Sequence, residues 1–364
     1  ALRGLTLSDA VWEPSPTDAA DAQSCSQAGG AVVLRGAKGC GLERCTVRNV
    51  GGYGVELLDG SRGNRLDRCE VTATGAGGVK VTGGAAGSPD ALRTGGNGVT
   101  DCHLFHLGRQ FHSGAGVLIQ HADDNAVSHN HIHDLYYTGV SVGWVWGYSP
   151  SVSTGNRVEF NRIHDVGQKL LTDMGGIYTL GVSPGTVIRG NVVHDVDAMT
   201  YGGWGIYTDE GSSGIVIEDN LVYRTKTGGF HQHYGKDNVV RNNVFALARE
   251  DQVQRSRMEP HVSFRFERNV VYYRDGTLLG KNWKDDQFVL ESNLYWNAAG
   301  RPVTFPGGLT LEQWQAKGFD KGSLVADPLF VDPDKGDFRL KDGSPAAKIG
   351  FVPFDFSKAG VRKE

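Results

Sequence analysis

Charge is scarce in this chain. Only 21 % of its 364 residues are Asp, Glu, Lys or Arg, and 37 basic against 41 acidic side chains leave a net charge of −4. No cluster of Lys or Arg is present to follow a phosphate backbone, which excludes nucleic acid as a partner. No apolar run approaches the ~18 residues of a membrane span, so no membrane partner is expected, and the start of the chain lacks the basic-then-apolar order of a signal peptide. Five cysteines, an odd number with no C-x-x-C spacing, argue against a disulfide framework or a zinc site. No Ser-His-Asp arrangement is recognisable, and the paired glycines do not form a phosphate-loop motif. Glycine, by contrast, is abundant: 52 residues, about twice the average share. It has no three-residue period, which excludes collagen, and 39 % apolar residues are enough for a large core, which excludes disorder.

A repeat organises most of the chain. The unit reads Asn-x-Val-x-x-Asn-x-Ile/Val, and recurs at Asn125–Ile132, Asn156–Ile163 and Asn238–Phe245. Aligning its second Asn position gives Cys45, Cys69, Cys102, Asn130, Asn161, Asn191, Asn220, Asn243, Asn269 and Asn293, spaced 23 to 33 residues apart. Short strands at this spacing cannot bury an apolar face singly, but stacked coils make one continuous core. The expected fold is an all-β, right-handed parallel β-helix of about ten rungs over residues 1–300, with residues 301–364 as a C-terminal cap packed on the solenoid. The interval is too long for hexapeptide left-handed helices, and leucine-rich repeats would need Leu at fixed positions. Stacked ~4.8 Å apart, the Asn side chains can bond one another at a corner that tolerates left-handed backbone, and the three Cys in the same column read as small buried fillers. Thr310 begins a capping-box helix that Gly318 stops. The opening Ala1–Leu7 alternates like a strand already under way, which implies an upstream segment able to carry a cap and a secretion signal.

Aligning the strand that follows each repeated Gly shows which side chains leave the coil. The first residue after the Gly is apolar (Val55, Val79, Val117, Val140, Ile177, Ile206, Phe230), so the second and fourth point out. Two columns are therefore expected to face solvent. One runs Glu56, Lys80, Leu118, Ser141, Tyr178, Tyr207, His231, and the other Leu58, Thr82, Gln120, Gly143, Leu180, Asp209, His233. Tyr178, Tyr207, Asp209, His231 and His233 fall on neighbouring coils of one face, with Trp144, Trp146, Trp204, Glu210 and Tyr234 at its edge. Aromatic platforms beside carboxylates suit a carbohydrate: rings cover the C–H face of a sugar and acids bond its hydroxyls. Tyr and Trp also favour protein interfaces.

Glycoside hydrolysis needs two carboxyl groups flanking the scissile bond. The candidates are Asp209, Glu210 and Asp173, the last just before the preceding strand; each is also a natural turn residue. A straight strand would separate Asp173 from Asp209 by ~20 Å, so the pairing requires the loop from Gln168 to Met174 to fold back over the face. His133-Asp134, His164-Asp165 and His194-Asp195 recur one coil apart and read as a solvated or hydrogen-bonded ladder in preference to metal ligands. Lys281, Trp283, Arg255 and Arg257 come from late loops able to wall the groove, and read as solvated surface residues.

The run Asp173–Gly181, then Tyr201–Ser212, then Gly229–Gly235, together with Ala326–Phe330 and Gly343–Ala346 near the C-terminus, resembles bacterial β-helix proteins of glycoside hydrolase family 141. The resemblance covers most of the chain from about Trp12. It implies action on plant-type glycans, with α-L-fucosidase and xylanase activities represented, and a catalytic pair of aspartates at Asp173 and Asp209. Members of that family usually carry an additional N-terminal β-rich portion. The expectation is therefore a secreted or periplasmic, monomeric glycoside hydrolase with a carbohydrate substrate and no cofactor or metal. A polysaccharide lyase or epimerase on uronate-containing glycans, often aided by Ca²⁺, is the enzymatic alternative. A non-catalytic glycan-binding adhesin is the other.

Overall fold

The computed structural model describes residues 1–14 and 22–363. Among these residues, three parallel sheets of eleven, twelve and ten strands run the length of a coil. Each rung gives one short strand to each sheet: Gly41–Glu43, Thr46–Val50 and Tyr53–Leu58 make up one such turn.

The period-2 pattern sets the register of the ten-stranded sheet. Val55, Val79, Val117, Val140, Ile177, Ile206 and Phe230 are successive cross-strand partners, and all are buried in one continuous apolar core. The glycine before each of them is not a left-handed corner. It sits where two sheets converge: a Cβ on Gly139 would lie 2.6 Å from Ile163 Cγ2, and one on Gly205 2.1 Å from Val222 Cγ1.

The asparagine column is a hydrogen-bonded ladder. Nδ2 of Asn130, Asn161, Asn191, Asn220 and Asn243 each donates to Oδ1 of the next Asn at 2.9–3.0 Å, and the same Oδ1 atoms accept a backbone N–H from the rung before. A second ladder links Asn64, Asn97, Asn125 and Asn156. Cys45, Cys69 and Cys102 continue the first column as buried thiols; the backbone N–H of Cys69 points at Cys102 Sγ, 3.4 Å away. The left-handed residue is not the Asn, as expected from sequence, but its predecessor: Arg44, Arg68, Asp101, His129, Phe160, Gly190, Asp219, Asn242, Arg268 and Ser292 all have positive φ. Such backbone costs ~1–2 kcal/mol at a non-glycine position, and the ladder bonds offset it rung by rung.

Beyond Leu294–Asn297 the coil closes with one partial rung, in which Leu324–Val325 pairs in parallel with Leu294–Tyr295. The helix Leu311–Ala316 has the capping box read from sequence, with Thr310 accepting from the Gln313 N–H and Gln313 accepting from that of Thr310. Its Trp314 is buried against Phe288, Phe305 and Phe319, covering the end of the core. Later residues, Phe330, Phe338 and Phe351 among them, form a separate apolar cluster on the outer side of the twelve-stranded sheet.

Candidate active site

Two columns leaving the ten-stranded sheet build the site. Tyr178, Tyr207 and His231 are successive partners, and Gln254 continues the series. Beside them, Asp209 follows the strand Trp204–Thr208 and His233 follows Phe230–Gln232. The outward direction is as read from sequence, but the solvent exposure is not. Tyr178, Tyr207 and His231 are 2–3 % exposed and Asp209 8 %, because large side chains on adjacent rungs cover one another. Tyr178 and Tyr207 pack edge to face at 5.2 Å, Tyr207 stacks on His231 at 4.7 Å, and Trp204 lies over both Tyr207 and His231.

The loop after Arg162–Val166 folds back. Met199 N–H donates to Leu171 O and Asp173 N–H to Tyr201 O, which carries Asp173 to the mouth of the column. Gly202 permits this approach: its φ is +101° and a Cβ there would sit 2.8 Å from the Asp173 nitrogen. The Tyr207 hydroxyl donates to Asp173 Oδ1 at 3.2 Å, and its proximity also favours the charged Asp209 carboxyl. The loop thus brings both carboxyl groups to one cleft, in place of the ~20 Å of a straight strand. Tyr178 donates to Asp209 Oδ2 at 2.7 Å and is itself held by Gln23, 3.1 Å away.

These surroundings act on Asp209. Burial pushes the Asp209 carboxyl above its ordinary range and the Asp173 charge adds to this, while the Tyr178 and Tyr207 hydroxyls oppose it. Burial and the Asp209 charge raise Tyr178 and Tyr207 as well, so both phenols stay protonated and act as donors.

Around the pair lies a cleft of about 480 Å³ lined by Tyr201, Trp204, Tyr207, Asp173, Asp209, Glu210, His231, His233, Gln254 and Ser256, together with Thr227, Glu250 and Lys281. That size lies within the ~300–1,000 Å³ of small-molecule sites. Trp204 Nε1 donates to Gln254 Oε1, which fixes the indole. Ser256 Oγ sits 2.9 Å from His231 Nε2 and 2.7 Å from His233 Nδ1. His231 Nδ1 is buried without a partner. An orphaned lone pair costs less than an orphaned N–H, so His231 carries its proton on Nε2 and donates to Ser256. Ser256 then donates to His233 Nδ1, and His233 presents an Nε2–H. Burial keeps His231 neutral, well below the ordinary histidine range.

Of the residues singled out from sequence, Asp173, Asp209, Glu210, Trp204, Tyr207, His231 and His233 line this cleft. Tyr234 stands behind it, donating to Glu210 Oε2 at 2.8 Å, and Tyr178 is sealed beneath Asp209. Trp144 and Trp146 do not join the lining. They pair with each other at 5.5 Å, Trp146 is 48 % exposed, and Trp144 packs on a different apolar cluster that includes Phe111 and Leu118. Lys281 walls the cleft, but Arg255 is fully buried in a two-pronged bond with Asp285 and Trp283 belongs to the core; neither is the solvated residue expected. Sequence reading missed Gln254 and Ser256 because their rung lacks the glycine used for alignment. The ladder itself was the available signal: Val253 stands ten residues after Asn243, as Phe230 does after Asn220.

The model of the right handed β-helix region matches residues 30–195 and 147–254. The chain belongs to this β-helix family. No curated protein matches the chain. Among solved structures, a glycoside hydrolase is 24 % identical with a TM-score of 0.51, covering 59 % of this chain and 38 % of its own. A native glycoside hydrolase family 136 lacto-N-biosidase from Eubacterium ramulus is 14 % identical, with a TM-score of 0.51 and coverage of 74 % and 50 %. A mutant of the periplasmic alginate epimerase AlgG is 12 % identical, with a TM-score of 0.53 and coverage of 79 % and 73 %. The chain thus spans half or less of the first two, and at these identities the likeness is one of fold. No helix among the described residues is long and apolar enough to cross a membrane.

Proposed function

We propose that this β-helix protein is a glycoside hydrolase of the family 141 type, secreted or periplasmic, acting on a neutral plant-type glycan such as an α-L-fucoside or a xylan. The observation that carries the reading is that Asp173 and Asp209 line one aromatic cleft, Asp173 bonded to the Tyr207 hydroxyl and Asp209 to that of Tyr178. Asp209, with its raised carboxyl, keeps a proton to give to the leaving oxygen. Asp173, half-buried and facing the same space, serves as base or nucleophile. Tyr201 and Trp204 offer ring faces to the sugar, and the His233 Nε2–H and Glu210 bond its hydroxyls.

The charge of the cleft supports hydrolysis over elimination or epimerisation. A uronate substrate brings a carboxylate that needs a cationic partner, whereas the lining holds Asp173, Asp209, Glu210 and Glu250 against Lys281. Incubation with fucosylated and xylan-type glycans should release new reducing ends without the ultraviolet absorption of an unsaturated uronate. Asp209→Asn and Asp173→Asn should each lower kcat by about 10²–10⁴ with unchanged circular dichroism. Full turnover in both variants, or unsaturated product, overturns the proposal; binding without turnover on every glycan identifies an adhesin.

A further inference from the structure

Away from the cleft, on the outer side of the twelve-stranded sheet, imidazoles collect where no step of the proposed hydrolysis uses them. His131 and His133 lie two apart on the strand His131–Leu135 and so face the same side; their rings are 4.5 Å apart. His103 is the direct partner of His131 on the preceding rung, yet its Nε2 reaches diagonally to His133 Nε2 at 2.8 Å. On the following rung His164, the partner of His133, brings its Nε2 to 2.7 Å from His131 Nε2. All four side chains are half-buried, and ligand atoms of His103, His131 and His133 lie within 4.8 Å of one another.

The geometry points to a transition-metal site in which His103, His131 and His133 bind one divalent ion of the zinc, nickel or copper class, clamping two successive rungs of the coil. A His-x-His pair on a strand offers two nitrogens to one ion, and the cross-strand histidine supplies the third. Imidazole suits these metals, whereas calcium and magnesium need oxygen donors that this cluster does not offer. Nitrogens bound at ~2.0–2.1 Å around a tetrahedral ion stand about 3.4 Å apart, so the 2.8 Å contact opens by about half an ångström on loading. His164 Nδ1 lies 2.7 Å from Asp165 Oδ2, which leaves its Nε2 as the acceptor of the His131 Nε2–H in the metal-free protein; metal loading takes that proton off Nε2. Glu70 and Arg162 occupy the His103–His131 column one rung to either side, and their opposite charges leave the ion's own charge the largest in the patch.

Tag-free protein titrated with Zn²⁺ alone should take up one saturable equivalent and unfold at a higher temperature when loaded. The Cu²⁺-loaded protein should show electron paramagnetic resonance couplings to three nitrogens. His131→Asn and His133→Asn should each weaken Zn²⁺ binding tenfold or more, while His112→Asn, on an exposed surface residue, should leave it unchanged. No saturable equivalent, fewer than three coupled nitrogens, or unchanged affinity in both cluster variants would overturn the site. The wild-type Cu²⁺ spectrum decides the matter even if a variant fails to fold.

Discussion

At the scale of single residues, Tyr207 is the group on which the two acids depend. Its hydroxyl donates to Asp173 and lies near enough to Asp209 to favour that charge as well, so it acts on both acids. Removing the hydroxyl takes away one of the two donors that hold the Asp209 carboxyl down against burial. Tyr207→Phe should therefore raise Asp209 further, and with it the alkaline limb of kcat/KM, where a catalytic acid loses its proton. One hydrogen bond to a charged group is worth about 1.5 kcal/mol, or about one pH unit. A pH–rate profile checks this: a limb that stays in place or moves to lower pH removes Asp209 as the acid. The phenylalanine keeps the ring stacked on His231, so packing is retained. The burial of this column is what residue patterns left hidden. Alternation shows which way a side chain leaves the strand, but Trp204 covers Tyr207 and His231 from a strand end, and no period records that.

At the scale of elements, the rungs and their register were legible because the constraint repeats. Each ladder Asn must meet the next, and each inward Val, Ile or Phe must meet the same core, so Asn130 to Asn293 and Val55 to Phe230 align without a structure. The corners were not legible. Left-handed backbone falls on Phe160 and Arg268, residue types that do not favour it, because the neighbouring Asn supplies the compensating bonds. The same rule explains His133-Asp134, His164-Asp165 and His194-Asp195: each His points out of the twelve-stranded sheet, while each Asp occupies a second left-handed position. The ladder's contribution can be measured at Asn191. It donates to Val158 O and Asn220 Oδ1 and accepts from the Asn161 backbone and side-chain N–H groups. Asn191→Ala orphans a buried backbone N–H and a carbonyl, each costing about 1–3 kcal/mol. The denaturant midpoint should fall by the equivalent of about 2–4 kcal/mol, and a loss under 1 kcal/mol would mean that water replaces the ladder.

At the scale of the whole molecule, the C-terminal tail runs back along the left-handed corner. Gly350 packs on Arg268, Val352 exchanges hydrogen bonds with Asn242, Lys358 O meets His129, and Gly360 N–H donates to Phe160 O. Arg362 ends the path on Asp101, reaching both carboxylate oxygens across 261 positions of sequence. Every contacted residue is one that precedes a ladder position, so the tail braces the edge where backbone strain collects and joins late rungs to early ones. Burial alone would raise the Asp101 carboxyl; the Arg362 bonds outweigh it and hold the group below its ordinary range. A depressed acid contributes stability above its unfolded-state value and loses it as pH falls through the folded-state value. Arg362→Ala leaves a carboxylate with a fully buried side chain without its guanidinium. Because the arginine is half exposed, the cost is below that of a wholly buried pair, about 1–2 kcal/mol at neutral pH. In acid the difference should shrink, since wild-type Asp101 then takes up a proton and gives up its advantage. Thermal unfolding of both proteins at pH 7 and at pH 3 checks the sign: a gap that is absent at neutral pH, or wider in acid, would mean that this pair does not hold the tail to the coil.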